Sequence, residues 1–301
     1  MSHAQETLAA VKAAIVAVKG TSLDKVAPEL LGSIGYNSPK TLAIDTGPDR
    51  FLSELSIDPA KLKDALPRIK AIHFLFQLTG DELPALSRNA TPQTGASFQR
   101  GAIDSFVFLG VDLDDGTWSR RELVTIVREI NRGFAMPAII LFRHGGKATL
   151  AVIDRRANRR DPSRDVVGGR ISLVKDIDLA SPHRAHVEIL ADLSLAAIAR
   201  KKAPTDFRDL YDRWIETLSA AELNKRFYAE LADWFAWAST KPELVTFPKG
   251  QPADEGGKEV GLIRLLTRLM FVWFIKEKGL VTSELFNADK LAILLNEPPT
   301  S

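Results

Sequence analysis

The sequence of 301 residues contains no cysteine. This absence excludes disulfide bonds, thiol nucleophiles and metal sites with cysteine ligands. The sequence also lacks a large excess of either charge, since it has 40 Lys and Arg residues and 38 Asp and Glu residues. The overall charge therefore identifies no partner, and any nucleic-acid signal must come from local clustering. A hydrophobic share of 45% is ordinary for a globular protein.

Long apolar runs are lacking as well. The most apolar stretch, Leu262–Ile275, is interrupted by Arg264 and Arg268 and falls short of the ~20 residues that span a bilayer. The N-terminal stretch carries Glu6 and Lys12 in an alanine-rich helical pattern, which is not typical of a signal peptide. We therefore expect a cytoplasmic protein without a membrane segment.

Sequence motifs of common catalytic sites are absent. The phosphate-binding loops GxxxxGK[ST] and GxGxxG do not occur, and no serine nucleophile elbow is present. Restriction-type nucleases hold a divalent cation with acidic residues and place a lysine beside it, usually as Asp/Glu-x-Lys. No such triplet occurs in the 301 residues. No catalytic residue and no metal ligand is predicted.

The most distinctive feature that is present is a basic stretch, residues 154–170, which we call the arginine segment. It contains six arginines, offset by Asp154, Asp161 and Asp165. Arginine favours bidentate partners, which are either phosphates or carboxylates. Phosphate contact would bind nucleic acid without reading its bases, whereas pairing with the nearby acids would be structural. The candidate nucleic-acid-binding residues are Arg155, Arg156, Arg159, Arg160, Arg164, Lys201 and Lys202.

The hydrophobic patterns predict an α/β fold that is followed by helices. Gly145-Gly146 between two β-rich runs predicts a hairpin, and Ser119 with Glu122 predicts a capped helix over Ser119–Gly133. The predicted strands are Leu42–Ile44, Ile69–Leu78, Ile103–Leu113, Ile139–Phe142, Thr149–Ile153 and Ile171–Val174. The predicted helices are 5–19, Asp24–Ile34, Phe51–Leu55, Lys61–Leu66, His183–Lys201, Asp206–Leu218, Ala220–Ser239 and Glu259–Lys278.

The fold class is therefore a mixed sheet with a helix on one face, followed by an all-α helical connector bundle. A restriction-endonuclease-like sheet is an open alternative. The predicted domains are an α/β segment over 1–95, a mixed α/β sheet domain with the arginine segment over 96–180, and a helical bundle over 181–301. The first two segments are also compatible with a single domain. Ser181-Pro182 predicts the start of the first helix in the bundle.

Two further groups of residues have alternative interpretations. Asp104, Asp112 and Asp154 lie near strand ends together with Lys147, so a degenerate Mg²⁺-dependent nuclease is the alternative function. His183 and His186 are one helical turn apart but lack a third ligand, which favours a satisfied or exposed pair over a metal site. Helix Glu259–Lys278 is apolar on all sides, so we expect it to be buried in a bundle or against a further domain.

Four stretches carry a resemblance to a known family. The first two are LNKRFYAELADWFAWA (residues 223–238) and IRLLTRLMFVWFIKEKGLV (263–281), followed by Leu285-Phe286. The other two are MPAIILFRHGGKATLAVIDRRANRRD (136–161) and ISLVKDIDLASPHRAHVEILADLSL (171–195). The region from Asp104 to Phe286 resembles the segment before the catalytic domain in type IIG-like restriction–modification and phage-defence adenine-specific DNA methyltransferases.

This resemblance implies an N-terminal α/β region, a helical connector and then a methyltransferase domain that uses S-adenosylmethionine. In that family the cofactor loop and the Asn-Pro-Pro-aromatic motif lie downstream of the connector. Asn296–Pro299 contains an inserted glutamate and lacks the aromatic residue, so no catalytic residue is carried over. The N-terminal region of type IIG relatives often holds a nuclease, for which the acid-x-Lys triplet is absent here.

We therefore expect a DNA-associated, non-catalytic N-terminal module, truncated or split from an adenine-specific methyltransferase. The expected partners are DNA and a methyltransferase domain or subunit that packs on the C-terminal helices. No cofactor is expected in this chain, and S-adenosylmethionine is expected for the downstream domain. A protein–protein scaffold is the third hypothesis, and it is favoured if the arginines pair internally.

Overall fold

The fold is known from a computed structural model. It describes residues 3–19, 22–83, 97–102, 104–153, 156–157, 165–166, 171–201, 203–241, 245–247, 253–278 and 280–281. The chain forms two compact units, unit 1 (Met1–Leu223) and unit 2 (Asn224–Ser301). The predicted mixed sheet and the predicted C-terminal helices are both confirmed.

Unit 1 contains all of the described strands and the first seven of the described helices, and unit 2 contains most of the eighth helix and the ninth. The strands are β1 (Ile69–Thr79), β2 (Ser105–Leu113), β3 (Ala138–His144), β4 (Lys147–Ile153), β5 (Arg156–Ala157), β6 (Asp165–Val166) and β7 (Ile171–Asp178). The helices are α1 (His3–Ala17), α2 (Leu23–Ser33), α3 (Pro48–Glu54), α4 (Arg120–Arg132), α5 (Arg184–Asp192), α6 (Leu195–Lys201), α7 (Phe207–Thr217), α8 (Ala220–Thr240) and α9 (Ala253–Glu277).

Five strands form the main sheet, in the order β1-β2-β3-β4-β7. Strands β2 and β3 are parallel and are connected through α4, while the other neighbours are antiparallel. Alternate side chains of each strand enter two separate cores. In β2, Phe106 and Phe108 pack with α1, α2 and α5–α7 on one face. Val107 and Leu109 pack with α3, α4 and the 3-10 segment Pro59–Arg68 on the other face.

Local sequence signals account for the turn between β3 and β4 and for the start of α4. Gly145 and Gly146 both have positive φ angles, +49° and +76°, as the tight turn between β3 and β4 requires. At the start of α4, Ser119 N donates to Glu122 Oε2 (2.8 Å) and Glu122 N donates to Ser119 Oγ (3.3 Å). The predicted hairpin and the predicted capping box are therefore both confirmed.

Two predictions of local structure were wrong. Leu42–Ile44 forms no strand: the described backbone beside it makes a single bridge, Thr41 to Ser97, while Leu42 and Ile44 pack their side chains against the core that α3 and α4 share with the sheet. The predicted helix His183–Lys201 is two helices, because Ser194 Oγ accepts a hydrogen bond from Ala197 N and starts a new helix. The N-cap of the first of these helices is His183 instead of Ser181.

Unit 1 continues well beyond residue 180, where the change of pattern placed a domain boundary. Helices α5 and α7 contribute Val187, Leu190, Leu210 and Trp214 to the same core as the sheet. These helices are therefore part of the α/β unit in packing terms. Among the described residues, no helix combines the length and apolar content needed to cross a membrane.

Candidate functional site

Most of the predicted nucleic-acid-binding residues lie outside the described residues. This holds for Arg155, Arg159, Arg160, Arg164 and Lys202, and Asp154 of the nuclease alternative also lies there. Arg156 is in β5, which pairs antiparallel with β6, and Lys201 is the last residue of α6. Their side chains are not among those described. The predicted phosphate contacts of the arginine segment stay a prediction.

The main sheet has two ends, and charged residues collect at one of them. Strands β2, β3 and β7 end there while β1 and β4 begin there, as the pairings of Ile69 with Leu113 and of Lys147 with Asp178 show. We call this end the charged edge. Its residues on the strands are Lys70, Asp112, Arg143, His144, Lys147 and Asp178. The charged edge thus assembles side chains from five different strands.

A cavity of about 320 Å³ opens at the charged edge. Its lining includes the charged side chains of Lys19, Lys70, Asp112, Asp115 and Arg143, together with the Gly145-Gly146 turn. In open α/β sheets, ligands commonly bind beyond the carboxyl ends of parallel strands. Here the parallel strands β2 and β3 both end at the cavity. The cavity therefore occupies the position at which this architecture places a ligand site.

Asp112 lies at the floor of the cavity and is fully engaged by neighbours. Arg143 Nε donates to its Oδ1 (2.7 Å), and His73 Nε2 lies 3.3 Å from its Oδ2. Arg143 Nη1 also donates to the backbone oxygen of Val18 (3.0 Å). Burial raises the pKa of Asp112, but hydrogen bonds from His73 and Arg143 outweigh burial and hold that pKa below its ordinary value. The Asp112 carboxylate is therefore ionised and anchored.

One buried histidine, His144, lines the cavity. The side chain of His144 is 5% exposed, its Nε2 lacks a hydrogen bond among the described residues, and Asp176 Oδ1 lies 3.9 Å away. Burial lowers the pKa of His144 against the opposing charge of Asp176. His183 caps α5 by accepting a hydrogen bond from Ala185 N (3.3 Å). His183 is therefore the N-cap of α5.

The acids of the nuclease alternative do not come together. Asp104 and Asp112 flank opposite ends of β2, which at ~3.3 Å per residue separates them by roughly 26 Å. Both oxygens of Asp112 already face Arg143 and His73. Among the described residues, no group of three His, Asp or Glu side chains is placed to hold a metal ion. Asp104 and Asp112 therefore cannot share one Mg²⁺ ion.

Unit 2 exposes a large apolar surface on its two helices. Trp237 on α8 is 47% exposed, and on α9 Phe271 is 62% and Trp273 52% exposed. We call this set the apolar surface of unit 2. Its members are Phe227, Tyr228, Trp234, Trp237, Ile263, Leu269, Met270, Phe271, Val272, Trp273 and Phe274. Exposed apolar side chains in this number are typical of a protein–protein interface.

The exposure on α9 encircles the helix. The six consecutive residues from Leu269 to Phe274 are all exposed, and six residues exceed the 3.6 of one helical turn. Arg264 and Arg268 are exposed as well, so neither needs the acidic partner that burial would require. This part of α9 is apolar on every side and has little packing of its own.

Sequence reasoning identified the apolar character of α9 but missed the cavity. Lys19, Lys70 and Arg143 are far apart in the sequence, and only strand order and direction bring them together. The sequence showed only that each of these residues lies near the end of a predicted helix or strand. No known protein family, curated protein or solved structure matches this chain.

Proposed function

We propose that this chain is a DNA-associated, non-catalytic module of an adenine-specific DNA methyltransferase in a restriction–modification or phage-defence system. In this proposal the α/β unit contacts DNA, and the C-terminal helices carry the methyltransferase domain or subunit. S-adenosylmethionine would be bound by that partner and not by this chain. The proposal places the protein in the cytoplasm.

The observation that carries the proposal is the apolar surface of unit 2. Exposed aromatic side chains are costly in water, and each buries on the order of 150–250 Å² when covered. Phe271, Trp273 and Phe274 are each more than half exposed. In the family that the sequence resembles, a methyltransferase domain follows such helices. A partner that covers the helices explains why they expose so much apolar surface in this chain.

DNA association rests on the arginine segment and on its place in the chain. Strand β4 ends at Ile153 and β7 begins at Ile171, both at the end of the sheet opposite the charged edge. The segment between them carries six arginines. Guanidinium groups at this density suit a run of backbone phosphates. The arginines would position DNA without selecting a sequence.

Docking is tested by co-expression with a methyltransferase polypeptide from an open reading frame adjacent to that of this chain. Replacing Phe271 and Trp273 by Ser removes two large contacts, so we expect recovery of the complex by affinity purification to fall at least about tenfold. Val16→Ser is the matched control, because Val16 is exposed on α1 in unit 1. Equal recovery of all three proteins, or the lack of an adjacent methyltransferase sequence, would contradict the docking role.

DNA binding is tested by charge reversal at Arg155, Arg156, Arg159 and Arg160. Each lost phosphate contact reduces the magnitude of the slope of log K against log salt by about 0.9, so we expect the loss of four contacts to reduce it by about 3.6. The control reverses four exposed lysines of unit 1, which are Lys12, Lys25, Lys61 and Lys63. An unchanged slope in the arginine variant would favour the scaffold alternative, which shares the docking surface but needs no DNA.

The nuclease alternative keeps a separate test. A degenerate site would nick plasmid DNA only when Mg²⁺ is present. Asp112→Asn should abolish such nicking if Asp112 holds the cation. We expect no metal-dependent nicking by the unmodified chain, since both oxygens of Asp112 face Arg143 and His73.

A further inference from the structure

Residues 269–274 of α9 surround the helix with apolar side chains, and we call them the apolar ring. Their exposed fractions lie between 39% and 62%. Successive residues of an α-helix are about 100° apart around the axis, so six of them leave no gap wider than about 100°. The described residues therefore shield no side of the apolar ring, and the ring has no polar side of its own.

One flat surface cannot cover the apolar ring. A helix that packs on a single core buries an apolar stripe of roughly 100° and keeps a polar face in water. Phe271 and Trp273 are two positions apart, so their side chains leave α9 about 200° apart, on opposite sides of the helix. A flat partner that covers Phe271 leaves Trp273 in water. Covering both side chains requires a groove that holds the helix.

The exposed area is large enough for a stable complex. The aromatic members of the apolar surface of unit 2 are about half exposed. At 150–250 Å² each, these seven side chains offer roughly 700 Å². A stable interface of standard size buries about 800 Å² on each partner. The aromatic residues alone therefore come close to the area that one side of such an interface needs.

Basic residues border the apolar ring at both of its ends along the helix axis. Arg264 and Arg268 precede the ring, and Lys276 and Lys278 follow it. Glu277 is the only acid between positions 263 and 278. A groove that receives this helix therefore meets an excess of positive charge at each end.

The two arginines lack compensation along the helix itself. Arg264 and Arg268 are one turn apart and both are exposed, and like charges at this spacing destabilise a helix. No acid stands three or four positions from either arginine. Carboxylates of a partner would relieve this repulsion, because guanidinium and carboxylate groups form bidentate, charge-assisted hydrogen bonds.

The same charges disfavour a second copy of this chain as the occupant. In a parallel pair of α9 helices, Arg268 would face its own counterpart, and in an antiparallel pair it would approach Lys276 of the other copy. Like charges that face each other across an interface suppress that pairing. The pattern of charge therefore favours a different protein, one with acidic residues beside its apolar contact surface.

We propose that α9 inserts into an apolar groove of the methyltransferase partner, and that acidic residues border this groove. The groove encloses the apolar ring, and its carboxylates pair with the basic residues at both ends of the ring. This inference rests on the proposed function, and it specifies how the partner holds the helix.

Enclosure is tested by the affinity of the purified full chain for a methyltransferase polypeptide from an adjacent open reading frame, measured by calorimetry. Phe271→Ser and Trp273→Ser are made separately, because each removes an aromatic side chain from a different side of α9. We expect each to weaken binding by about tenfold or more, while the control Val16→Ser binds as the unmodified chain does. Circular dichroism verifies that each variant is folded.

The two variants separate the groove from the docking role. A loss of affinity in only one of them overturns the enclosure and leaves the docking role of the proposed function standing. Unchanged affinity in both variants overturns the enclosure and the docking role together.

The acidic border is tested by Arg264→Glu/Arg268→Glu, with Lys12→Glu/Lys25→Glu as the control that reverses two exposed lysines of unit 1. We expect the arginine variant to bind about tenfold or more weakly at low salt, because its new carboxylates face those of the partner. The difference should shrink at high salt, where charges are screened. Unchanged or tighter binding at low salt overturns the acidic border.

Two other occupants are tested with the chain alone. Sedimentation velocity detects a dimer, and co-sedimentation with phosphatidylserine vesicles detects a lipid surface. We expect a monomer and no vesicle binding that depends on the apolar ring. A dimer that Phe271→Ser and Trp273→Ser both dissociate assigns the ring to a second copy, and vesicle binding that both abolish assigns it to a membrane. Either result overturns the inference.

Discussion

Two tryptophans, one in each unit, differ in how far their side chains are buried. Trp214 in unit 1 is 0% exposed, and its Nε1 donates to Tyr36 Oη (2.7 Å), which donates to the Leu193 backbone oxygen (2.7 Å). Trp273 in unit 2 is 52% exposed, and Lys276 Nζ lies 4.5 Å from the centre of its ring. Trp214 is therefore buried and hydrogen-bonded within unit 1, whereas Trp273 stays half-exposed in unit 2.

The difference teaches that the two units have different requirements for stability. Both faces of the sheet in unit 1 are covered by helices of the same unit, so its hydrophobic burial is complete without a partner. The apolar surface of unit 2 still faces solvent, where its burial would release about 25 cal/mol for each Å² removed from water. Unit 1 therefore buries its apolar core within itself, whereas the exposed apolar residues of unit 2 are typical of an interface.

The largest expected difference in stability is between the truncation of Trp214 and the truncation of Trp273. Trp214→Ala should cost about 4 kcal/mol of unfolding free energy, since it leaves a cavity and removes the hydrogen bond that Trp214 Nε1 donates to the buried Tyr36 Oη. Trp273→Ala should change it by less than about 0.5 kcal/mol. Urea denaturation followed by circular dichroism measures both. Similar losses at the two positions would show that unit 2 packs its aromatic residues after all.

A smaller effect is expected from two lysines of unit 1. Lys40 is 1% exposed and pairs with Asp81 and Glu82, whereas Lys70 is 55% exposed and pairs with Asp115. Lys40→Met should cost about 2 kcal/mol, because it strands two partly buried carboxylates. Lys70→Met should cost less than about 0.5 kcal/mol. Chemical denaturation at neutral pH measures the unfolding free energy of both variants. Equal losses would show that the buried ion pairs of Lys40 stabilise the fold no more than the exposed ion pair of Lys70.

The smallest effect concerns pH and Asp112. Its folded pKa lies below its ordinary value, so its stabilisation is present above an unfolded pKa of about 3.9 and is lost as pH falls through the folded pKa. Asp112→Asn should cost about 1 kcal/mol at pH 7, and the difference should shrink below about pH 4. Denaturation curves between neutral pH and about pH 4 show whether the stability difference between the unmodified protein and Asp112→Asn shrinks or grows in acid. A difference that grows in acid would contradict the ion pair with Arg143.

The elements of unit 1 were largely predictable because their signals are local. The Gly145-Gly146 turn and the Ser119–Glu122 capping box each act within a few residues, and the structure confirms both. The break at Ser194 was missed because its side chain begins a new helix inside a continuous helical pattern. Periodicity alone does not show where one helix ends and the next begins.

The charged edge was not predictable in the same way. Asp112 and Arg143 are 31 positions apart, and their ion pair follows from the parallel pairing of β2 with β3. Strand order is a property of the whole sheet, so composition and spacing do not reveal it. The apolar surface of α9 was predictable as apolar, and the sequence analysis left open whether a bundle or another domain covers it. The structure leaves it exposed within this chain.

Hydrogen exchange of α9, measured with and without the proposed methyltransferase partner, tests the central claim most directly. Residues 269–274 are the readout, because all six are exposed in this chain, and the buried strand β2 is the internal reference. The account predicts that exchange across 269–274 slows by about tenfold or more in the complex, while β2 is unchanged. Equal exchange in the free and mixed samples would contradict the claim that this surface is where the methyltransferase docks.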